Sequence, residues 1–147
     1  MFLEDSTKKS LAERMRTASF GFWFYVVSVL VLIDFASKWF AEFSEWSLFL
    51  NDQFAFSLPM PIWLIYILYA ITFLAIGKYL YVTWNELLVS ARVGFIFIVS
   101  GGIANMSERI WFGYVRDFIY IGNGVFNIAD FYIFFGLLLI LATVRKR

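Results

Sequence analysis

Charged residues divide this chain into four long apolar stretches. Thr17 to Ile33, Gln53 to Gly77 and Val93 to Ser107 carry no charge, and Phe118 to Val144 is interrupted only by Asp130. A spanning helix takes roughly 20 apolar residues, so the pattern predicts transmembrane helices at about 18–38, 60–80, 88–107 and 125–144. Between them the period changes. Trp46 to Phe56 is aromatic and partly alternating, and Gly113 to Gly122 mixes β-branched and aromatic residues between two glycines. Both read as strands. Pro59 and Pro61 mark the entry to the second helix, and no internal repeat or low-complexity tract is visible. The expected fold is an all-α integral membrane protein, one domain over 1–147, with four transmembrane helices and a small β platform and loops on the outer face.

Composition supports a lipid solvent. Of 147 residues 62% are hydrophobic and 16% charged, with a mean hydropathy of +0.77. That is more apolar surface than one core of this size can bury. A net charge of +1 without a long basic run excludes a nucleic-acid partner. The chain has no cysteine and no histidine. Disulfides, Cys/His zinc sites, thiol catalysis and imidazole acid/base chemistry are therefore excluded, and neither metal nor cofactor is expected. Any catalysis must rest on carboxylates, Lys/Arg, hydroxyls or backbone.

Lysine and arginine set the expected orientation. Lys8, Lys9, Arg14 and Arg16, then Lys78 and Arg92, then Arg145, Lys146 and Arg147 fall on one side; Lys38, Arg109 and Arg116 fall on the other. Both termini should be cytoplasmic, with loops 39–59 and 108–124 outside. The first apolar segment lacks a small-residue exit site and runs into Asp34 and Lys38, so it is expected to stay as helix one.

Depth then singles out polar residues. Asp130 stands 15 residues before Arg145, about 22 Å up a helix, and Asn105 lies about 20 Å above Arg92 by the same rise. Both fall below the outer face of a hydrocarbon core about 30 Å thick. Asp34 and Lys38, spaced i, i+4, can pair near the outer end of helix one. Ionisable groups at such depth mark a functional site by default. Plainer readings stand beside this one. Asp34–Lys38 can be an interfacial ion pair positioning helix one, and Arg109 can snorkel to headgroups. Asn51, Asn105 and Asn127 can be caps or interhelical hydrogen-bond formers. Asp130 can be a helix cap, although Asn127 already serves that purpose. Asp117 alone is an ordinary surface charge. Two aspartates at one outer pocket nonetheless favour aspartic proteolysis, in which paired carboxylates share a proton. The ionised one takes a proton from water while the protonated one polarises a peptide carbonyl.

Four blocks in order carry a family resemblance. Asp34-Phe-Ala-Ser-Lys38 is similar to D-x-x-x-K, and Asn51-Asp-Gln-Phe-Ala-Phe-Ser57 to N-x-G-A-A-F-S. Gly101 to Phe118 is similar to G-x-x-G-N-x-x-D-R-x-x-x-G-x-V-x-D-F, and Phe126-Asn-Ile-Ala-Asp130 matches F-N-x-A-D. The chain resembles lipoprotein signal peptidase (signal peptidase II), a membrane aspartic endopeptidase of bacteria. The resemblance implies Asp117 and Asp130 as the catalytic pair. It places Asn51, Asn105, Arg109 and Asn127 around them, with Asp34 and Lys38 as the helix-one pair. It implies a substrate, a prolipoprotein whose cysteine carries diacylglycerol, cut just before that cysteine at the outer face of the cytoplasmic membrane. Partners are then that precursor and membrane lipids, with the protein a monomer.

Departures from the pattern are Gln53 and Phe54 for Gly and Ala, Ala104 for Gly, Glu108 for Asp, and Phe131 for a small residue. They favour a rival, a catalytically silent relative that binds lipoproteins or signal peptides; the intact aspartates oppose it. A four-helix proton-coupled exporter would want a carboxylate in mid-membrane on an early helix, and none lies between Arg16 and Asp34.

Overall fold

A computed structural model describes residues 15, 17–53 and 59–145. Lys8, Lys9, Arg14, Arg16, Phe54, Lys146 and Arg147, used above, lie outside the described residues, as does the end of the strand-like run at 54–56. The described elements are α1 (Phe20–Phe43), β1 (Phe49–Asn51), α2 (Ile62–Thr83), α3 (Val89–Phe112), β2 (Val115–Asp117), β3 (Ile119–Ile121), β4 (Gly124–Phe126) and α4 (Ile128–Val144). One 3₁₀ turn, Trp84–Glu86, joins α2 to α3.

Local chemistry sets the helix ends. Ser19 caps α1, its Oγ accepting from the Phe22 N–H at 3.3 Å. The helix closes where Glu45 turns left-handed (φ 56) and the Trp46 N–H reaches back to the Ala41 carbonyl. Pro61 is the N-cap of α2, its extended backbone (ψ 137) turning into the helix and its carbonyl accepting from the Leu64 N–H at 2.9 Å. Among the described residues, three helices are long and apolar enough to cross a membrane. The fourth, α4, has 17 residues, a length of about 26 Å, at the short end of the spanning range.

Several boundaries differ from expectation. Helix α1 runs on to Phe43 rather than ending near 38, so residues 39–43 are helical rather than part of an outer loop. Helix α3 runs on to Phe112, so Glu108 and Arg109 are helical rather than part of an outer loop. A charge marks where a helix leaves the hydrocarbon, not where its backbone stops. The helix ends only at Gly113, which takes φ +83, a conformation glycine adopts without steric cost. Helix α4 begins at Ile128 rather than near 125, because Gly124–Phe126 forms a strand. Its partner is β3, with Ile119 opposite Phe126, joined through a two-residue turn at Gly122 (φ +58). The first sheet pairs β1 antiparallel to β2, with Phe49 opposite Asp117 and Asn51 opposite Val115. Both small sheets sit at the end of the bundle where α1 and α3 finish and α4 starts.

The packing is that of a membrane protein. Large apolar side chains such as Phe20, Phe43, Tyr81 and Trp111 are exposed, whereas Asp34, Lys38, Arg92, Asn105, Glu108, Arg109, Arg116, Asp117 and Asn127 are buried. In lipid, helices associate through small residues and polar contacts rather than by hiding apolar ones. Helices α3 and α4 meet accordingly. A Cβ on Gly94 would lie 2.8 Å from the Gly136 carbonyl oxygen, and one on Gly136 would lie 2.6 Å from that of Gly94. Gly101 abuts the Ala129 carbonyl in the same way.

Gly136→Ala should therefore destabilise the protein by about 1–3 kcal/mol through overpacking. Gly77→Ala, with nothing within 4 Å of the added carbon, should be neutral or stabilising by up to about 1 kcal/mol. Thermal unfolding in detergent compares the two, and equal effects would refute the close helix contact.

Candidate functional site

Asp117 ends β2 and Asp130 occupies the first turn of α4. One residue touches both. The Asn127 side chain donates through Nδ2 to Asp117 Oδ1, while its backbone N–H donates to Asp130 Oδ2 at 3.1 Å. Asn127 is also the N-cap of α4, its Oδ1 accepting from the Asp130 N–H at 3.0 Å. The two thus form a reciprocal capping box, with Asp130 in its third helical position. The cap reading is met with Asn127 as the N-cap and Asp130 in the first turn, and the same asparagine contacts both aspartates.

Each aspartate has a second amide of its own. Asn51, on β1, donates to Asp117 Oδ2 at 3.0 Å. This diagonal cross-strand pair follows from the register. Asn105, on α3, donates to Asp130 Oδ1 at 3.0 Å. Burial pushes the Asp117 carboxyl from 3.8 up to about 6; bonds from Asn51 and Asn127 resist the rise and the charge of Asp130 adds to it.

Behind these amides runs a chain of alternating charge. Lys38 Nζ contacts Asp34 Oδ2 at 2.7 Å, Glu108 Oε2 at 2.9 Å and Asn105 Oδ1 at 3.2 Å. Asp34 Oδ1 accepts from the Ala129 N–H at 2.8 Å, tying α1 to the start of α4. Glu108 continues to Arg116, whose Nε and Nη2 bond its Oε1 at 2.7 and 2.6 Å. Arg116 Nη1 ends on Glu42. Asp34 and Lys38 are therefore a pair fully buried within the protein.

Arg109 does not snorkel. It is 5% exposed, and its Nη2 donates to the Gln53 carbonyl at 2.8 Å. Its own carbonyl accepts from Tyr66 Oη at 2.9 Å, and its Nη1 approaches Tyr69 Oη at 3.5 Å. It braces the loop after β1 instead of bonding either aspartate. No group of three or more Asp, Glu, His or Cys side chains suited to a metal occurs among the described residues.

Sequence reasoning missed Glu108 as a junction, Arg116 and Glu42 as its extension, and Tyr66 and Tyr69 as partners of Arg109. A signal was present for Glu42 alone. Asp34, Lys38 and Glu42 recur every four residues, which places alternating charges on one face of α1. The tyrosines had no such signal amid abundant aromatics.

The model of the family described as Signal peptidase (SPase) II matches residues 24–145. The chain belongs to the signal peptidase II family. The family resemblance of the four motifs is borne out. Similar curated proteins include the lipoprotein signal peptidases of Brucella ovis and Brucella canis, each 37% identical over a 76-residue alignment that covers 47% of this chain and 48% of theirs. The chain thus spans about half the length of the curated relatives it matches. A bacterial membrane enzyme solved by the in meso method at 2.3 Å aligns with a TM-score of 0.74 and 19% identity, covering 86% of this chain and 89% of that one. A second, at 1.9 Å, gives 0.71 and 18%, covering 85% and 93%. These likenesses speak for the fold, an integral membrane protein of four helices with small antiparallel sheets. Among the family departures, Ala104 is wholly buried. Phe131 stacks between Phe126 and Phe135, at 6.5 and 6.4 Å between ring centroids.

Lys38→Met should lower stability by about 3–5 kcal/mol, since it leaves buried carboxylates without their cation. Chemical denaturation in detergent measures it, and a loss below about 1 kcal/mol would dismiss the buried pair as structurally idle. Asp117 makes a separate prediction through pH. Its folded value lies above its ordinary 3.8, so ionisation opposes folding. The contribution is intact below pH 3.8 and is lost as pH rises through about 6. The stability of Asp117→Asn relative to the parent should therefore rise by up to about 3 kcal/mol between pH 4 and 7. Parallel stability curves over that interval would contradict the raised value.

Proposed function

We propose that this signal peptidase II family member is an aspartic endopeptidase that removes the signal peptide from diacylglyceryl-modified prolipoproteins. It acts as a single membrane-embedded domain and cuts just before the lipidated cysteine. The observation that carries this reading is the joining of Asp117 and Asp130 through Asn127, with a further asparagine amide on each. Every one of these donors is neutral. Amide donors orient four carboxylate oxygens without adding a full charge that would fix both groups as anions. A pair held this way can share one proton.

In the proposed reaction the ionised carboxylate takes a proton from water, and the protonated one donates to the scissile carbonyl oxygen. Water adds to the carbonyl carbon. Collapse of the tetrahedral intermediate then breaks the C–N bond, with a proton passing to the leaving amine. The pair titrates as a unit, so apparent values belong to both residues. Asn51, Asn105 and Asn127 orient the carboxylates, while Asp34 and Lys38 position Asn105 and the start of α4. Arg109 holds the loop beyond β1. The platform end is assigned to the outer face of the bacterial cytoplasmic membrane, with both termini cytoplasmic, by the positive-inside count. A cysteine anchored to the bilayer by its diacylglycerol presents its peptide bond at that depth. The protein is taken to work as a monomer.

Asp117→Asn and Asp130→Asn remove acid/base capacity without changing volume. Each should cut cleavage of a diacylglyceryl-modified prolipoprotein at least about a hundredfold, with precursor binding changed far less. Equal loss of binding and cleavage would assign structural roles to the aspartates. Parent protein that binds the precursor and never cleaves it would establish the silent relative.

A further inference from the structure

Residue 116 precedes Asp117 in β2, so their side chains leave the strand on opposite faces. Asp117 turns toward Asn51 and Asn127. Arg116 turns into the bundle, is 3% exposed, and engages Glu108 on α3 through both Nε and Nη2 and Glu42 on α1 through Nη1. Its backbone N–H also donates to Glu108 Oε2, at 3.1 Å. One carboxylate therefore grips both the side chain and the backbone of the same strand residue. The guanidinium is roofed by Trp39 and Phe112, whose ring centroids lie 5.1 and 5.0 Å from Cζ. A three-residue strand has too few ladder bonds to hold its register alone, and the fork on Glu108 supplies the missing anchor.

The family pattern leaves position 116 open and has Asp where this chain has Glu108. The longer Glu108 meets Lys38 on one side and Arg116 on the other. Through Lys38 it reaches Asn105 and so Asp130; through Arg116 it reaches β2 and so Asp117. We propose that Arg116 is a positioning residue, a clamp that sets Asp117 against Asp130 by locking β2 to Glu108 and Glu42. The assignment of a catalytic consequence rests on the peptidase reading above.

The test compares parent, Arg116→Lys, Arg116→Met and Arg116→Met/Glu108→Gln on a diacylglyceryl-modified prolipoprotein, with backbone amide exchange read over residues 115–117. The double variant guards against misfolding, because Asp34 and Lys38 then remain as a neutral buried pair. Arg116→Met and the double variant should lower kcat on the order of ten- to a hundredfold with KM changed less than about threefold, since apolar substrate contacts are untouched. Arg116→Lys keeps the charge but loses the planar fork, and it should recover only part of kcat. Exchange over 115–117 should rise in all three while that of α4 stays put. Full recovery by lysine would reduce the clamp to a bare charge and overturn the proposal. So would parental kcat in the double variant, or unchanged exchange in β2. A parent protein that cleaves nothing would instead defeat the peptidase reading, with amide exchange alone then deciding whether the clamp exists.

Discussion

The ammonium of Lys38 is the constraint on which the rest is hung. It has three N–H donors and spends one each on Asp34, Glu108 and Asn105. These partners lie on α1 and α3, and Asp34 carries the link on to the first turn of α4 through the Ala129 N–H. A buried ion pair is weak evidence for net stability, because desolvation consumes most of the Coulomb gain. Its geometric effect is stronger. The three donors constrain how α3 sits against α1, the Asp34 bond to Ala129 extends the constraint to α4, and slippage leaves a charge in a medium that cannot solvate it.

Separation of charge from chemistry follows. Asp34, Lys38, Glu108 and Arg116 sum to no net charge, and they stand one layer behind the two aspartates. The layer in contact with the aspartates consists of asparagine amides. Had an arginine bonded Asp117 directly, its carboxyl would be held low, in the anionic state. Instead burial dominates and the carboxyl is pushed up to about 6. The charges build the frame and the neutral amides aim the acids, so rigidity is obtained without neutralising the pair.

Hydrophobic patterning made the helices legible, because spans in lipid must be long and apolar. Aromatic alternation made β1 legible, and the mix of β-branched and aromatic residues between Gly113 and Gly122 pointed to the stretch that forms β2 and β3. The pattern failed where charge and backbone part company: α3 carries Glu108 and Arg109 past the expected span end. It failed again at Gly124–Phe126, whose apolar residues read as the start of a helix but pair with β3. The residues proposed for the site were singled out by their motifs and depth, and the structure brings Asn51, Asn105, Asp117, Asn127 and Asp130 together, but their contacts were not legible. Nothing in the sequence assigned Arg109 to the Gln53 carbonyl rather than to the aspartates. The cap on α4 by Asn127 was legible, but not that the same asparagine would also bridge the pair.

Fold and site draw on the same residues, and the reason is the solvent. A soluble enzyme can hold its shape with an apolar core and place polar catalytic groups at the margin. Here the apolar groups face outward, and lipid offers no hydrophobic reward for bringing helices together. What remains is close contact at Gly94, Gly101 and Gly136 and the polar interior. The first fixes how near α3 and α4 lie. The second fixes their rotation, because Asn105 must meet Asp130 while Glu108 meets Lys38. Changing Asp to Glu at 108 within such an interior demands a partner at the longer reach, and Arg116 is that partner. Removing either partner strands the charge of the other in a layer that cannot solvate it, so Glu108 and Arg116 are coupled through the same hydrogen bonds.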